Sequence, residues 1–240
     1  MTEQQENYFW NSKVRDSTGV LMPMYHGTGA IITEFDPDFT GQGNDQYGSG
    51  FYFTSKYSQA KGYMTATTKG ADGQDLPKLG GNSNPNVVGV YLNLTNPYVI
   101  DGAKNAHMGH IEVSSDDAYR ILLNDPDLFL PVSSVDSDIV NPLGDYFEDF
   151  WNKSQYTDGE YRQFIRRLAD KYFNPTSLLM LDTFFGRHAK EFRQAARDAL
   201  GHDGVIVHFG NGTDHAIAWF PNQIKAITNT APTEANNIFE

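Results

Sequence analysis

The chain has 240 residues, no cysteine, and 18 Lys and Arg against 30 Asp and Glu, a formal net charge of −12 with histidine neutral. That length supports one generous domain or two small ones, and 20% charged with 13% aromatic residues is the composition of a packed protein, not a disordered one. Without cysteine there is no disulfide framework, no thiolate nucleophile and no thiolate-ligated zinc, so covalent or metal chemistry must come from His, Ser, Thr or carboxylates. The negative balance argues against binding driven by Lys and Arg displacing counterions from a phosphate backbone. Met1 to Ser12 is polar, with no basic region leading into an apolar one, and no apolar run is long enough to span a bilayer. The expectation is a soluble, cytoplasmic protein without a membrane partner.

In chain order, residues 1–19 read as an N-terminal extension, and Val20 to Thr28 as a strand ending in the polar Tyr25-His26-Gly27-Thr28. Asp36 to Asp45 is a loop rich in turn formers; it suggests a calcium loop, but Thr40 and Tyr47 stand where ligands are needed. Gly48-Ser49-Gly50 leads into the aromatic strand Phe51-Tyr52-Phe53, after which Ser55 is placed to cap a short helix carrying Tyr57, Ala60 and Met64. Lys69 to Asn86 reads as a mobile loop. Val87 to Leu94 and Tyr98 to Ile100 read as strands around Thr95-Asn96-Pro97. From about 105 to 200 the pattern turns helical, an insertion with a capping box at Thr157/Glu160 and apolar stripes on Tyr161, Ile165, Leu168, Tyr172 and on Phe185, Ala189, Phe192. Gly204 to Phe209, the turn Gly210-Asn211-Gly212 and Ala216 to Phe220 form a hairpin, and residues 230–240 a frayed tail. Strands, then helices, then strands predict an α+β fold, with residues 20–229 as a single domain.

Several chemistries are excluded by pattern. Gly48-Ser49-Gly50 precedes a strand and not a helix, so it is no dinucleotide fingerprint; no phosphate-cradling Gly-Lys-Ser/Thr loop and no Gly-x-Ser-x-Gly elbow occur. His107 and His110 have the spacing of a metal clip, but lack a third ligand and flank a glycine, so no metal is predicted. Arg187, Lys190, Arg193 and Arg197 share one helix face, which reads as a solvated surface.

Two segments taken together carry the functional signal: Tyr25-His26-Gly27-Thr28, and Gly48-Ser49-Gly50-Phe51-Tyr52-Phe53-Thr54 with Tyr63 following on the next helix. They resemble the diphtheria-toxin and poly(ADP-ribose)-polymerase type of ADP-ribosyltransferase, in which one strand ends in His-Gly-Ser/Thr and a second carries Gly-x-Gly-Ile/Phe-Tyr-Phe. Asn93 to Asp101, His202 to Val207 and Phe220 to Lys225 are similar to later segments of its bacterial and phage branch, found in polyvalent proteins. The resemblance implies a split sheet that binds NAD as co-substrate. His26 would hold a ribose hydroxyl, Gly27 and Thr28 would lie at the carboxamide, and Tyr52 and Tyr63 would sandwich the nicotinamide. It further implies transfer to a macromolecular acceptor, a protein before a nucleic acid, as in a toxin or phage effector. Such chemistry needs those parts, because cleaving the nicotinamide bond passes through an oxocarbenium-like state that must be oriented and stabilised.

The chain also departs from that pattern. Counting back from Gln223, the position of the family's catalytic Glu falls on His215, with Asp214 beside it. A neutral imidazole accepts a hydrogen bond but supplies no negative charge, and strand alternation turns Asp214 to the opposite face unless a bulge intervenes. Ala60 stands where the polymerases carry a nicotinamide-binding Ser. These departures argue against polymer synthesis and leave mono-ADP-ribosyl transfer, NAD glycohydrolysis and a non-catalytic NAD-binding module open.

Overall fold

The computed structural model describes residues 1–40, 50–64, 67–69, 75–77, 84–102, 110–124, 156–172, 176–180 and 200–240. By its internal contacts the chain divides into two compact units, Met1–Gly43 with Gly50–Ala106 and Asp203–Glu240, and Asn44–Ser49 with His107–His202.

The first unit is built on a seven-stranded mixed sheet. Its strands are β1 (Met24–Thr28), β2 (Phe51–Thr54), β5 (Asn86–Leu92), β6 (Tyr98–Asp101), β9 (Gly204–Phe209), β10 (Thr213–Ala218) and β11 (Ile224–Ala226), in the order β11-β5-β1-β2-β10-β9-β6. The β6/β9 pair is parallel and the other ladders are antiparallel. With the short helix α2 (Tyr57–Lys61) and an N-terminal helix α1 (Glu3–Tyr8), this is the expected α+β architecture.

One sheet face carries the core. Met24, Phe51, Phe53, Val90, Leu92, Ile206, Ala216, Ala218, Ile224 and Ala226 are buried there with Val14, Phe35 and Ile238. Cross-strand volumes are matched: Ala216 lies opposite Phe53 and Ala218 opposite Phe51, so small residues on β10 make room for rings on β2. Each fully buried aliphatic or aromatic side chain contributes about 1.5–3 kcal/mol relative to exposure, which is why this face, and not local propensity, sets the strand order.

Both ends of the chain are packed into this unit. Thr2 and Gln5 form a reciprocal capping box on α1, Phe9 and Val14 are buried, and Ser12 donates its hydroxyl to the Leu92 carbonyl at 2.6 Å. The Tyr8 hydroxyl donates to the Asn222 carbonyl at 2.8 Å, and burial pushes its pKa to about 12. The expectation of a frayed tail is corrected: Ile238 is fully buried, its N–H bonds the Thr33 carbonyl at 2.9 Å, and its own carbonyl accepts from Ala226 at 2.8 Å. Lys225, fully buried, donates its ammonium to the carbonyls of Ala235 and Asn237, and burial holds its pKa below the usual lysine range against the pull of Glu234 and Glu240. The tail is polar in sequence because its backbone, more than its side chains, makes these contacts.

Two local expectations also change. The supposed loop after Lys69 includes part of a two-stranded ribbon, β3 (Thr67–Lys69) with β4 (Asp75–Pro77). Ser55 does not cap α2, whose N-cap is Lys56; its hydroxyl accepts instead from the Asp214 N–H at 2.9 Å, tying β2 to β10.

The second unit was expected to be helical. It contains α3 (Ser115–Asn124) and α4 (Asp158–Tyr172), but also an antiparallel pair, β7 (His110–Ser114) with β8 (Thr176–Met180). Such five-residue strands are too short to stand out against a helical background. Thr157 and Glu160 form the predicted capping box, with the Glu160 carboxylate accepting from Thr157 N–H at 2.9 Å and from its hydroxyl at 2.7 Å. Tyr161, Ile165 and Leu168 are buried on α4, which packs on α3, where Ala118 and Ile121 are buried. Arg166 joins Asp116 of α3 at 2.5 Å and Asp170 at 2.7 Å. The stripe at Phe185, Ala189 and Phe192, the basic residues Arg187 to Arg197 and the first member of the His107/His110 pair lie outside the described residues.

Candidate active site

The ladder between β1 and β2 aligns one residue pair, Tyr25 with Thr54, whereas β1 follows β5 from Met24 to Thr28 and β2 follows β10 from Phe51 to Thr54. The sheet is thus split beyond Tyr25. His26 sits at this split. Its ring Nδ1 lies 2.8 Å from the Tyr52 carbonyl oxygen, an acceptor only, so Nδ1 carries a proton and donates it there. The rings of Phe35 and Phe53 flank it, with centroids 5.2 and 5.6 Å away. By pairing with Val88, His26 belongs to the core face of β1, so it reaches Tyr52 through that residue's backbone and not its ring.

Gly27, Ala60 and Tyr63 come together on the opposite face. A Cβ at Gly27 would fall 1.9 Å from the Ala60 carbonyl oxygen and 3.0 Å from the Tyr63 Cβ, so α2 can lie this close to β1 only over a glycine. Ala60 is buried and Tyr63 is 51% exposed, leaving much of the latter's surface open. Thr28 ends β1 opposite Asn86, and its hydroxyl accepts from the Ala30 N–H at 3.1 Å.

β10 settles the geometry of the neighbouring pair. Its ladder with β9 runs without a bulge from Thr213 to Ala218, and with β2 from His215 to Ala218. Directly paired residues share a face, so His215 lies with Thr54 and Val207, and Ile217 with Tyr52 and Val205. Asp214 points the other way with His208, whose Nδ1 is 2.9 Å from its carboxylate. Thr54 is buried, Tyr52 and His215 half-buried. The His215 ring meets Phe209 edge-on at 4.8 Å, and its Nε2 lies 3.2 Å from the side-chain oxygen of Gln59 on α2. Burial holds its pKa below the ordinary imidazole value of 6.5, with the Asp214 charge opposing.

His26, Gly27, Thr28, Tyr52, Ala60, Tyr63, Asp214 and His215 were expected here from the sequence; the contacts of Phe35, Thr54 and Phe209, and Gln59 altogether, were not. A polar side chain on a short helix carries no periodic signal, and its partners Thr54 and His215 are 5 and 156 positions away. Gly48 and Ser49 of the glycine-rich segment lie outside the described residues. Among the described residues no group of three or more His, Asp or Glu could hold a metal ion, and no helix is long and apolar enough to cross a membrane.

An α+β sheet split beside a His-Gly strand end, with a Tyr-bearing strand and helix across the gap, is the architecture of an ADP-ribosyltransferase domain. The family described as ADP-ribosyltransferase in polyvalent proteins matches residues 16–234, and the chain belongs to it. Comparison with curated proteins gave no match, and comparison with solved structures gave none.

Proposed function

We propose that this protein transfers a single ADP-ribosyl group from NAD to a macromolecular acceptor, a protein, and releases nicotinamide. The family uses NAD as its substrate. The observation that supports this reading best is the convergence of Gly27, Ala60 and Tyr63 at α2, beside a strand pair that turns Tyr52, Thr54 and His215 to one face. In the reaction the bond from nicotinamide to ribose C1′ breaks and its electron pair passes to the ring nitrogen. The acceptor nucleophile, giving up its proton, then bonds to C1′. Tyr63 and Tyr52 offer aromatic faces to the flat leaving group, His26 hydrogen-bonds a ribose hydroxyl, and His215 accepts from the nicotinamide ribose. With water as the nucleophile the same site is a glycohydrolase.

A second reading is a non-catalytic NAD-binding module. It is favoured by one observation: the carboxylate nearest the catalytic position, Asp214, is turned away and engaged by His208.

Calorimetry tests the binding half of the proposal. His26→Ala and Tyr52→Ala should each weaken NAD by about tenfold, the value of one lost hydrogen bond or stacking contact. Tyr63→Ala should weaken NAD and free nicotinamide yet leave ADP-ribose nearly unchanged, since only the first two offer the ring. Unaltered NAD affinity in both of the first variants, or equal loss of ADP-ribose and NAD in the third, contradicts the assignment.

A further inference from the structure

Gln59 links α2 to the catalytic strand. Its side-chain oxygen lies 2.6 Å from the Thr54 hydroxyl and 3.2 Å from the Nε2 of His215. A carbonyl oxygen has two lone pairs, and both are engaged here. The Thr54 hydroxyl donates to that oxygen and accepts in turn from the Lys56 N–H at 3.2 Å, and the same amide oxygen faces His215. A ring nitrogen facing an oxygen acceptor carries the proton, so the neutral imidazole has its lone pair on Nδ1. The Phe209 ring packs against the imidazole at 4.8 Å and limits its rotation.

We propose that Gln59 is a positioning residue that holds His215 in the Nε2–H tautomer and so presents Nδ1 as the hydrogen-bond acceptor of the site. This rests on the reading of His215 as the residue that meets the nicotinamide ribose. A glutamine suits the task where a glutamate would not. A carboxylate 3.2 Å from the ring would favour the imidazolium, which donates from both nitrogens and accepts from neither. Among the surrounding groups, β2 contributes the uncharged Thr54 and Tyr52 and Lys56 at the start of α2 reaches the Asn211 carbonyl at 3.4 Å, while the charge of Asp214 on β10, which also meets His208 of β9, opposes the burial that keeps the ring neutral.

The test compares the full chain with Gln59→Ala and Gln59→Glu, using long-range proton–nitrogen spectra of the histidine rings and nicotinamide release from NAD as functions of pH. His215→Ala identifies the resonance. The wild type should show the Nε2–H tautomer. Gln59→Ala should mix the tautomers and lower kcat by roughly tenfold to a hundredfold with little change in KM. Gln59→Glu should raise the His215 midpoint by about one unit, and the rising limb of the rate with it. An Nδ1–H tautomer in the wild type, or one tautomer and midpoint common to all three proteins, overturns the inference. Rings that behave as stated while the rate ignores them would uphold the positioning by Gln59 and remove His215 from the reaction.

Discussion

Replacing His215 by alanine should lower NAD cleavage by roughly tenfold to a hundredfold, the rate equivalent of one hydrogen bond lost from the transition state, while Asp214→Ala should leave the rate close to wild type. The difference follows from register. β10 has no bulge from Thr213 to Ala218, so His215 shares a face with Thr54 while Asp214 faces His208. The His208–Asp214 pair is partly exposed, and such pairs are worth at most about 1 kcal/mol. His215→Glu would place a negative charge where positive charge develops and should raise the rate by about tenfold or more. Loss of turnover in Asp214→Ala with His215→Ala intact would reverse the assignment.

The pH profile carries the same claim. In the proposed role the ring must be neutral to accept, and burial holds its pKa below 6.5. The rate should therefore rise with pH below 6.5 and be flat through neutrality. Stability follows in the same direction: between the folded and unfolded values the unfolded chain binds the extra proton, so the contribution is full above 6.5 and is lost as pH falls toward the folded value.

The second large effect belongs to Gly27. In Gly27→Ala the added Cβ would meet the Ala60 backbone 1.9 Å away, and a main-chain carbonyl cannot swing aside as a side chain can. Either α2 moves off β1 or the strand bends, at a cost of about 1–3 kcal/mol. Since α2 carries Gln59 and Ala60, with Tyr63 just beyond it, NAD affinity should fall with stability. Gly159, in the first turn of α4, is the control: apart from its chain neighbours and its own helix backbone nothing lies within 4 Å of its would-be Cβ, and Gly159→Ala should be neutral or slightly stabilising. Denaturant unfolding and calorimetry check both. A Gly27→Ala protein that unfolds and binds NAD like the wild type contradicts the close approach.

The candidate site could be proposed from the chain because its parts are short and local. His26-Gly27 ends one strand, Phe51-Tyr52-Phe53 is another, and Tyr63 follows within a turn of the next helix. The hairpin of β9 and β10 was legible for the same reason: a three-residue turn with Gly212 at φ +73 joins two apolar runs. What escaped depends on distant partners. Ile238 is buried because Thr33 and Ala226 hold its backbone, Ser55 is drawn from its cap by Asp214, and β7 pairs with β8 across more than sixty positions. None of these leaves a mark in the local pattern. Gln59 belongs with them, since its meaning lies wholly in Thr54 and His215.

Release of nicotinamide from NAD by the purified chain, measured with and without a lysate as the source of acceptors, tests the central claim most directly. The account predicts release by the wild type, greater release when acceptor proteins are present, and a fall in His26→Ala and His215→Ala. No release from the wild type or from His215→Glu, with or without lysate, would contradict it and leave a module that binds NAD without cleaving it.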